Sequence, residues 1–464
     1  MTQTCDRKEI AGDGRQRAPN VVVFFTDQQR WDTAGLHGNP MGLTPNLDRL
    51  ARANTHLANS FTCQPVCGPA RSCMQTGLYA TTTGCWRNGI PLPENSHTLA
   101  HSFAAAGYRT GYIGKWHLYN RESHGPVPPS HRFGYDYWLA SNVLEFTSDA
   151  YDTVVFDGDQ NEVRLPGYRV DALTDAGIRY MDANREDPFF LFLSYIEPHH
   201  QNHLDDFPPP HGYREMFTGG WIPPDLAALG GSTHQHLGGY YGQVKRLDEA
   251  LGRVVDALTS LGLLDDTVVL FTSDHGNHFK TRNSEYKRSC HESSIRVPTV
   301  LAGPGFRGGG QVDELVSLVD LPPTLLDAAR LKIPEPMQGR SLLPLLRGDR
   351  EGWPEEVFVQ ISEAQVGRAV RTHRWKYCVD AERADPDRAG GSEIYREQYL
   401  YDLQADPYEL NNLIGLQSHR RVADVMANRL KSRMREAGEA ESVIEPAPER
   451  RSGQRQVSAD EARQ

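Results

Sequence analysis

The chain of 464 residues is 38% hydrophobic and 23% charged, enough apolar material for a folded core and too much for a disordered tail or a fibre. Its formal net charge of -11, from 49 Lys and Arg against 60 Asp and Glu, lacks the basic footprint of a general nucleic-acid binder. Residues 1–19 are hydrophilic, without an apolar run suited to a signal peptide or a membrane span, which predicts a flexible N-terminus, no membrane partner and a cytoplasmic address.

From Asn20 onward, short apolar runs alternate with helical patterns, and this alternation predicts an α/β protein with a mostly parallel central sheet flanked by helices. Predicted strands cover Asn20 to Thr26, Thr110 to Ile113, Phe189 to Ile196, Thr267 to Thr272 and Pro298 to Ala302. A helix opens at Thr44-Pro45, an N-cap followed by Pro in the first turn, and runs through Leu47, Leu50 and Ala51. Pro65 to Gly77 reads as a loop entering a short helix, with Pro69 in its first turn and Gly77 as terminator. A longer helix carries Val244, Leu247, Leu251, Val254, Val255, Leu258 and Leu261 on one stripe and stops at Gly262. After Trp353 the texture changes to short β-like pieces at Val357 to Ile361, Arg368 to Arg371, Trp375 to Val379 and Tyr399 to Leu403, followed by a helical pattern from His419 to Glu436. The predicted division is a large domain over 20–352, a smaller α+β subdomain over 353–436, and a disordered tail over 437–464, rich in Glu, Arg, Pro and Gln.

In open parallel sheets ligands bind at the carboxyl ends of the strands, so the residues just past each apolar run carry the most information. Asp27-Gln28 follow the first strand, and Lys115-Trp116-His117 the second. Glu197-Pro198-His199-His200 close the third, and Asp274-His275-Gly276 the fourth. Any one of these is an ordinary helix cap or solvated turn. Four strand ends that all carry metal- or anion-binding groups point instead to one polar rim. Asp27, Gln28, Asp274 and His275 offer mainly hard oxygen donors with one imidazole, which suits Ca²⁺, or Mg²⁺ or Mn²⁺, better than structural zinc.

The seven cysteines, Cys5, Cys63, Cys67, Cys73, Cys85, Cys290 and Cys378, are odd in number and lack paired Cys-x-x-Cys spacing, which predicts free thiols. Cys67 is singled out by its neighbours. It opens the predicted short helix, where amides and dipole favour an anion, and Arg71 adds a planar fork one turn on. On composition alone it would be a buried thiol like Cys63, Cys73 and Cys85.

Cys67-x-Pro69-x-Arg71 with Thr76-Gly77 resembles the signature of the type I sulfatases, of the alkaline phosphatase-like superfamily. The resemblance extends through Asp27-Gln28, Thr44-Pro45-Asn46-Leu47-Asp48, Gly107-Tyr108-Arg109-Thr110, Gly114-Lys115-Trp116-His117, Pro198-His199 and Ser273-Asp274-His275-Gly276. Lys287, Arg296-Val297-Pro298 and the run from Leu403 through Asp406-Pro407, Glu409 and Asn411-Asn412-Leu413 complete it. Departures are Gln28, where many members carry a second Asp, Ala70, where Ser is usual, and Arg282, where many have a histidine.

What the resemblance implies is a sulfatase acting on a carbohydrate or other small sulfate monoester, with its catalytic domain over 20–352. A formylglycine-generating enzyme would act on Cys67, and the resulting formylglycine would supply the nucleophile. Asp27, Gln28, Asp274 and His275, with modified Cys67, would hold one divalent metal, Ca²⁺ first and Mn²⁺ or Mg²⁺ next. Arg71, Lys115, Lys287 and the metal would stabilise the transferring sulfuryl group; His199, with Lys287, would protonate the leaving alcohol, and His117 would assist release of sulfate. His200 stands beside His199 as an alternative acid, and His278 and His291 as structural or substrate-facing groups. Long polar loops at 119–129, 141–157 and 202–221 are expected around the pocket, with Trp138, Tyr151, Tyr213 and Trp221 either stacking on a sugar or aryl face or only packing the loops. Two other readings stay open: a phosphonate monoester or phosphodiester hydrolase of the same superfamily, and an inactive anion- or glycan-binding homologue. The sequence leaves the oligomeric state open.

Overall fold

Val21, Val23 and Phe25 join one apolar cluster while Val22 and Phe24 join another, so β1 (Asn20–Thr26) is buried on both faces and runs inside a helix-covered sheet. The computed structural model describes residues 18–120, 122–451 and 457–464, so most of the 1–19 segment and Cys5 lie outside the described residues. Nine further strands complete the large sheet: β2 (Thr55–Phe61), β3 (Arg109–Lys115), β4 (Tyr137–Ser141), β5 (Thr153–Phe156), β6 (Glu162–Leu165), β7 (Phe189–Ser194), β8 (Thr267–Ser273), β9 (Thr299–Ala302) and β10 (Gly310–Ser317). Their order is β10-β2-β9-β8-β1-β7-β3-β4-β5-β6. The pairs joining β8, β1, β7, β3 and β4 are parallel, whereas β9 is antiparallel to both its neighbours and the outer pairs β4–β5 and β5–β6 are antiparallel.

Helices Pro45–Ala53, Arg169–Ala183 and Thr233–Ser260 cover one face, and Cys67–Thr76, Leu99–Ala105 and Leu321–Ala328 the other. This is the expected mostly parallel α/β sheet. Pro45 opens its helix as expected, but the capping oxygens come from elsewhere. Asp248 on the long helix accepts the amides of Asn46 and Leu47 at 3.1 and 2.8 Å, while Thr44 Oγ1 turns to the Gly35 amide.

A second sheet follows, β11 (Glu356–Ile361), β12 (Gly367–Thr372), β13 (Trp375–Asp380), β14 (Ile394–Asp402) and β15 (Val443–Glu445), antiparallel except for the β14–β15 pair. Helix Arg420–Glu436 packs on it through Val422, Met426, Leu430 and Met434. The described part of the tail departs from the expected disorder. Residues 443–445 pair with β14, the Arg450 guanidinium donates to the carbonyls of Asn412 and Ile414, and Val457 and Ala462 enter the small core. Sparse apolar residues among charged ones are enough there, because backbone pairing and Arg450 fix the path between them.

Candidate active site

Because β8, β1, β7 and β3 are parallel neighbours, their carboxyl ends share one edge of the sheet, and Thr26 lies opposite Ser273 in register. Asp27 and Asp274 therefore leave the sheet side by side. The Gln28 amide donates to Asp274 Oδ1 at 3.0 Å, which holds Gln28 at φ 68°, a left-handed value that signals a constrained turn. At the end of β3 the chain packs so tightly that a Cβ on Gly114 would lie 1.9 Å from the Ser194 carbonyl oxygen, and only glycine fits. Helix Cys67–Thr76 points its first turn at this edge, with the Gly68 amide donating to Asn88 Oδ1 at 2.9 Å and Gly77 at φ 69° ending it.

Around the Cys67 Sγ lie Lys287 Nζ at 2.9 Å, His275 Nε2 at 3.3 Å and Asp27 Oδ1 at 3.5 Å. Lys287 Nζ is also 3.0 Å from His199 Nε2 and 3.3 Å from Gln28 Oε1. Arg71 Nη2 and Lys115 Nζ both contact Asp27 Oδ2, at 2.9 and 2.8 Å, and Lys115 pairs with Glu145 at 2.7 Å. The structure brings Asp27, Gln28, Cys67, Arg71, Lys115, His199, Asp274, His275 and Lys287 together in one buried cluster, with half-buried His117 on its cavity side. The cavity above Cys67, of about 390 Å³, is lined by Cys67, His117, His199, His200, Glu145 and Lys287 among others, and not by Arg71 or Lys115. Those two cations lie beneath, as charge partners of Asp27.

The two carboxylates respond oppositely to burial. It would raise both, but Lys115, His199 and Arg71 hold Asp27 well below the ordinary carboxylate value. Asp274 has the His275 ring at 3.5 Å and Arg71 at 3.4 Å to lower it, but burial together with the Asp27 charge pushes it up to about 7. Burial takes His275 down to about 4, so near neutrality its ring is uncharged and a lone pair is free. Burial and the Lys287 ammonium keep His199 neutral as well. Burial and Asp27 push the Cys67 thiol up, but Lys115, Lys287 and a hydrogen bond from His117 bring it below its ordinary value.

Asp27, Cys67, Asp274 and His275 form a candidate metal site. One ligand atom each from Asp27, Cys67, Asp274 and His275 lie within 4.8 Å of one another, and Asp274 Oδ2 is buried without a hydrogen-bond partner. Gln28 is the exception among the expected ligands, since its Oε1 accepts from Lys287 and its buried Nε2 is unpartnered. A half-turn of the amide would exchange the two atoms.

Further expectations need correction. Trp138 is buried in β4 against Tyr112 and Trp116, and Tyr151, Tyr213 and Trp221 do not line the cavity; the exposed aromatic that does is Phe146, stacked on His124 at 4.7 Å. Arg282 is not in the lining either: its guanidinium donates to the carbonyls of Tyr408 and Glu409. His278 bonds the Lys287 carbonyl and His291 the Tyr401 hydroxyl, in keeping with the structural one of the two roles expected for them. Sequence reasoning missed Glu145, the second partner of Lys115, and Ser194, whose Oγ accepts from Arg71 at 2.6 Å. Ser194 escaped because the apolar run continues to Ile196 while β7 ends at Ser194, so the after-strand position was hidden.

Comparison with known proteins identifies the family. The Sulfatase profile matches residues 19–331 and the N-sulphoglucosamine sulphohydrolase C-terminal profile residues 284–436. An Ulvan-active sulfatase of Formosa agariphila is 30% identical over 452 residues, 93% of this chain and 84% of that one. A solved protein in complex with its substrate D-glucosamine-2-N,6-O-disulfate has a TM-score of 0.74 at 22% identity, covering 91% of this chain and 98% of that one. The phosphonate monoester hydrolase of Agrobacterium radiobacter has a TM-score of 0.69 at 24% identity, covering 90% and 96%. With one family profile spanning most of its length and that relative aligned nearly end to end, the chain belongs to the sulfatase family, the sulfuric ester hydrolases of the alkaline phosphatase-like fold.

Proposed function

We propose that the chain hydrolyses a sulfate monoester of a saccharide or another small organic sulfate at Cys67, once a formylglycine-generating enzyme has converted that residue to formylglycine. The observation that carries this reading is the convergence of Lys287, His275 and Asp27 on one sulfur at the floor of an open cavity. Asp27, Asp274, His275 and position 67, with the Gln28 amide turned, would hold one divalent cation, Ca²⁺ by donor hardness and Mn²⁺ or Mg²⁺ next. Once bound, the cation supplies positive charge against the sulfuryl oxygens and the nucleophile.

The chain's own groups divide the remaining work. Lys287 reaches both Cys67 and His199, so its ammonium faces the sulfuryl oxygens and shares a proton with the His199 ring. His199 Nδ1 bonds the His200 carbonyl, which assigns the lone pair to Nε2 and makes the Lys287–His199 pair the proton source for the leaving oxygen. His117, on the cavity wall with an unpartnered Nδ1, takes the proton released at position 67. Arg71 and Lys115 keep Asp27 ionised and oriented.

The similar solved protein in complex with its substrate D-glucosamine-2-N,6-O-disulfate supports a saccharide substrate. Gln28 in place of a second Asp, together with the fold shared with a phosphonate monoester hydrolase, supports a second reading as a phosphonate monoesterase. The test has two parts. Mass spectrometry of the peptide spanning Cys67, after co-expression with a formylglycine-generating enzyme, should show a loss of about 18 Da, thiol to aldehyde. Rates are then compared on sulfate, phosphate and phosphonate monoesters of one aryl alcohol. Dominant phosphonate turnover would sink the sulfatase assignment, and an unmodified thiol with no turnover would favour an anion-binding homologue.

A further inference from the structure

We infer that Arg87 reads a second anionic group on the substrate, a carboxylate or a further sulfate on the same saccharide, separate from the sulfate that is removed. The inference rests on the sulfate-ester reading of the Cys67 site. Three long cationic side chains line that cavity: Arg87, Lys287 and Arg288. Lys287 is engaged with Cys67, His199 and Gln28. Arg288 is neutralised by Glu285 at 3.0 Å and Glu363 at 2.5 Å. Arg87 has no carboxylate partner among the described residues. Its Nη1 donates to the Asn88 carbonyl at 3.2 Å, and its buried Nε has no hydrogen-bond partner. Asp387 also lines the cavity, exposed, and forms no ion pair with Arg87.

The surroundings hold this guanidinium ready. Arg87 Cζ sits 5.7 Å from the Trp86 ring centroid, and Trp86 is wedged so closely under Gly390 that a Cβ there would meet the indole at 2.9 Å. The Trp86 carbonyl accepts from Gln64 at 2.6 Å. On the other side, Asn88 donates its amide to Glu363 at 2.6 Å and accepts the Gly68 amide at 2.9 Å. The residue after Arg87 is therefore tied to the residue after Cys67, which fixes the spacing between an anion at Arg87 and the sulfate at Cys67. A planar guanidinium with free N–H groups matches a carboxylate or sulfate by two parallel hydrogen bonds.

The test uses three probes: a monosulfated methyl uronide, its analogue with the carboxylate reduced to hydroxymethyl, and a disulfated neutral glycoside. The expected result is a wild-type preference in kcat/KM for one or both dianions over the monosulfated neutral analogue, with the two dianionic arms telling carboxylate from second sulfate. Arg87→Ala should cut that preference by roughly 10- to 100-fold, mainly through KM, and Arg87→Lys should keep part of it. Calorimetric titration of the same probes into the chain with Cys67 unmodified reads the preference without turnover. No sulfate release from any probe, with Arg87-dependent binding intact, overturns the hydrolase reading and leaves this inference standing. Equal handling of all three by wild type, or a preference unchanged in Arg87→Ala, overturns the inference.

Discussion

Two clusters of buried charge lie about the same segment of chain, and they are built differently. Between the two sheets, Lys376, fully buried, bridges Glu292 at 2.7 Å and Glu409 at 2.6 Å; Glu409 also accepts the Glu292 amide, and Arg371 contacts Glu292. Two acids and two bases close on one another, and none of the four contributes a buried polar side-chain atom without a partner. Around Cys67 the ion pairs are just as short, yet Asp274 Oδ2, Gln28 Nε2, Arg71 Nε, Glu145 Oε2 and His117 Nδ1 are all left over. Burying such atoms unpaired costs free energy that folding alone does not return. A satisfied network is scaffolding. A network with leftovers beside a cavity offers polar atoms that an arriving group could satisfy.

That contrast is broken most severely at the nucleophile. Cys67→Ala should lower sulfate release by at least about 10⁴-fold while the fold persists, read as product sulfate against an unchanged circular dichroism spectrum. Retained turnover would move the chemistry away from position 67. Next comes the cation. Chelation, or Asp274→Asn, should lower the rate by roughly 10²- to 10⁴-fold, and re-adding a divalent ion should restore the chelated wild type and not the variant. In the wild type the same ion should raise the thermal midpoint, because it binds only the folded cluster. An ion that raises the midpoint of Asp274→Asn equally would have its site elsewhere.

How far the two clusters were legible in the sequence follows from the same physics. Asp27, Lys115, His199 and Asp274 could be found because each follows an apolar run, and parallel strands bring such positions together. The sheet interior was readable for the same reason. β2 and β10 were not, since THLANSF and GQVDELVS mix polar residues into partly exposed faces and show no clean run. Asp248 capping a helix some two hundred residues earlier, Glu145 behind Lys115, and Glu363 reaching Asn88 are pairings with no local signature. Arg71 and Lys115 were expected against the sulfuryl group, and the structure has them on Asp27 and off the cavity lining. Spacing says which groups meet, and only the packed structure says which of them face the cavity.

The scaffold cluster gives the third prediction, and its readout is stability. Lys376→Met leaves Glu292 and Glu409 facing each other without their shared cation, which should cost about 3–5 kcal/mol in urea unfolding while kcat per folded molecule changes little. Burial would raise Glu292, but Arg371, Lys376 and Arg296 hold it well below its ordinary value. The stabilisation from a depressed carboxyl is present above the unfolded value and lost as pH falls through the folded one. The gap between wild type and Lys376→Met should therefore be widest near neutrality and narrow below about pH 4. A gap that stays constant with pH would mean that the lysine acts through packing alone.

The smallest expected effect tests whether position 70 belongs to the chemistry or to the core. Ala70 is fully buried in the cluster that holds Cys73 and Met74, and its amide donates to the Val66 carbonyl at 2.9 Å. A serine there would bring a hydroxyl into an apolar layer. It has an acceptor within reach, because Ser72 and Thr76 in the same helix already bond back to the carbonyls of Pro69 and Ser72. Ala70→Ser should therefore shift stability by about 1 kcal/mol or less. Cys67 is only 1% exposed, so an enzyme that oxidises it must act before this helix packs. Added to the folded chain, that enzyme should convert none of it, while co-expression should convert wild type and Ala70→Ser to similar extents, read on the Cys67 peptide by mass spectrometry. Conversion of the serine variant alone would show that the modifying enzyme reads a hydroxyl three residues after the cysteine, and Ala70 would then limit activity from outside the folded site.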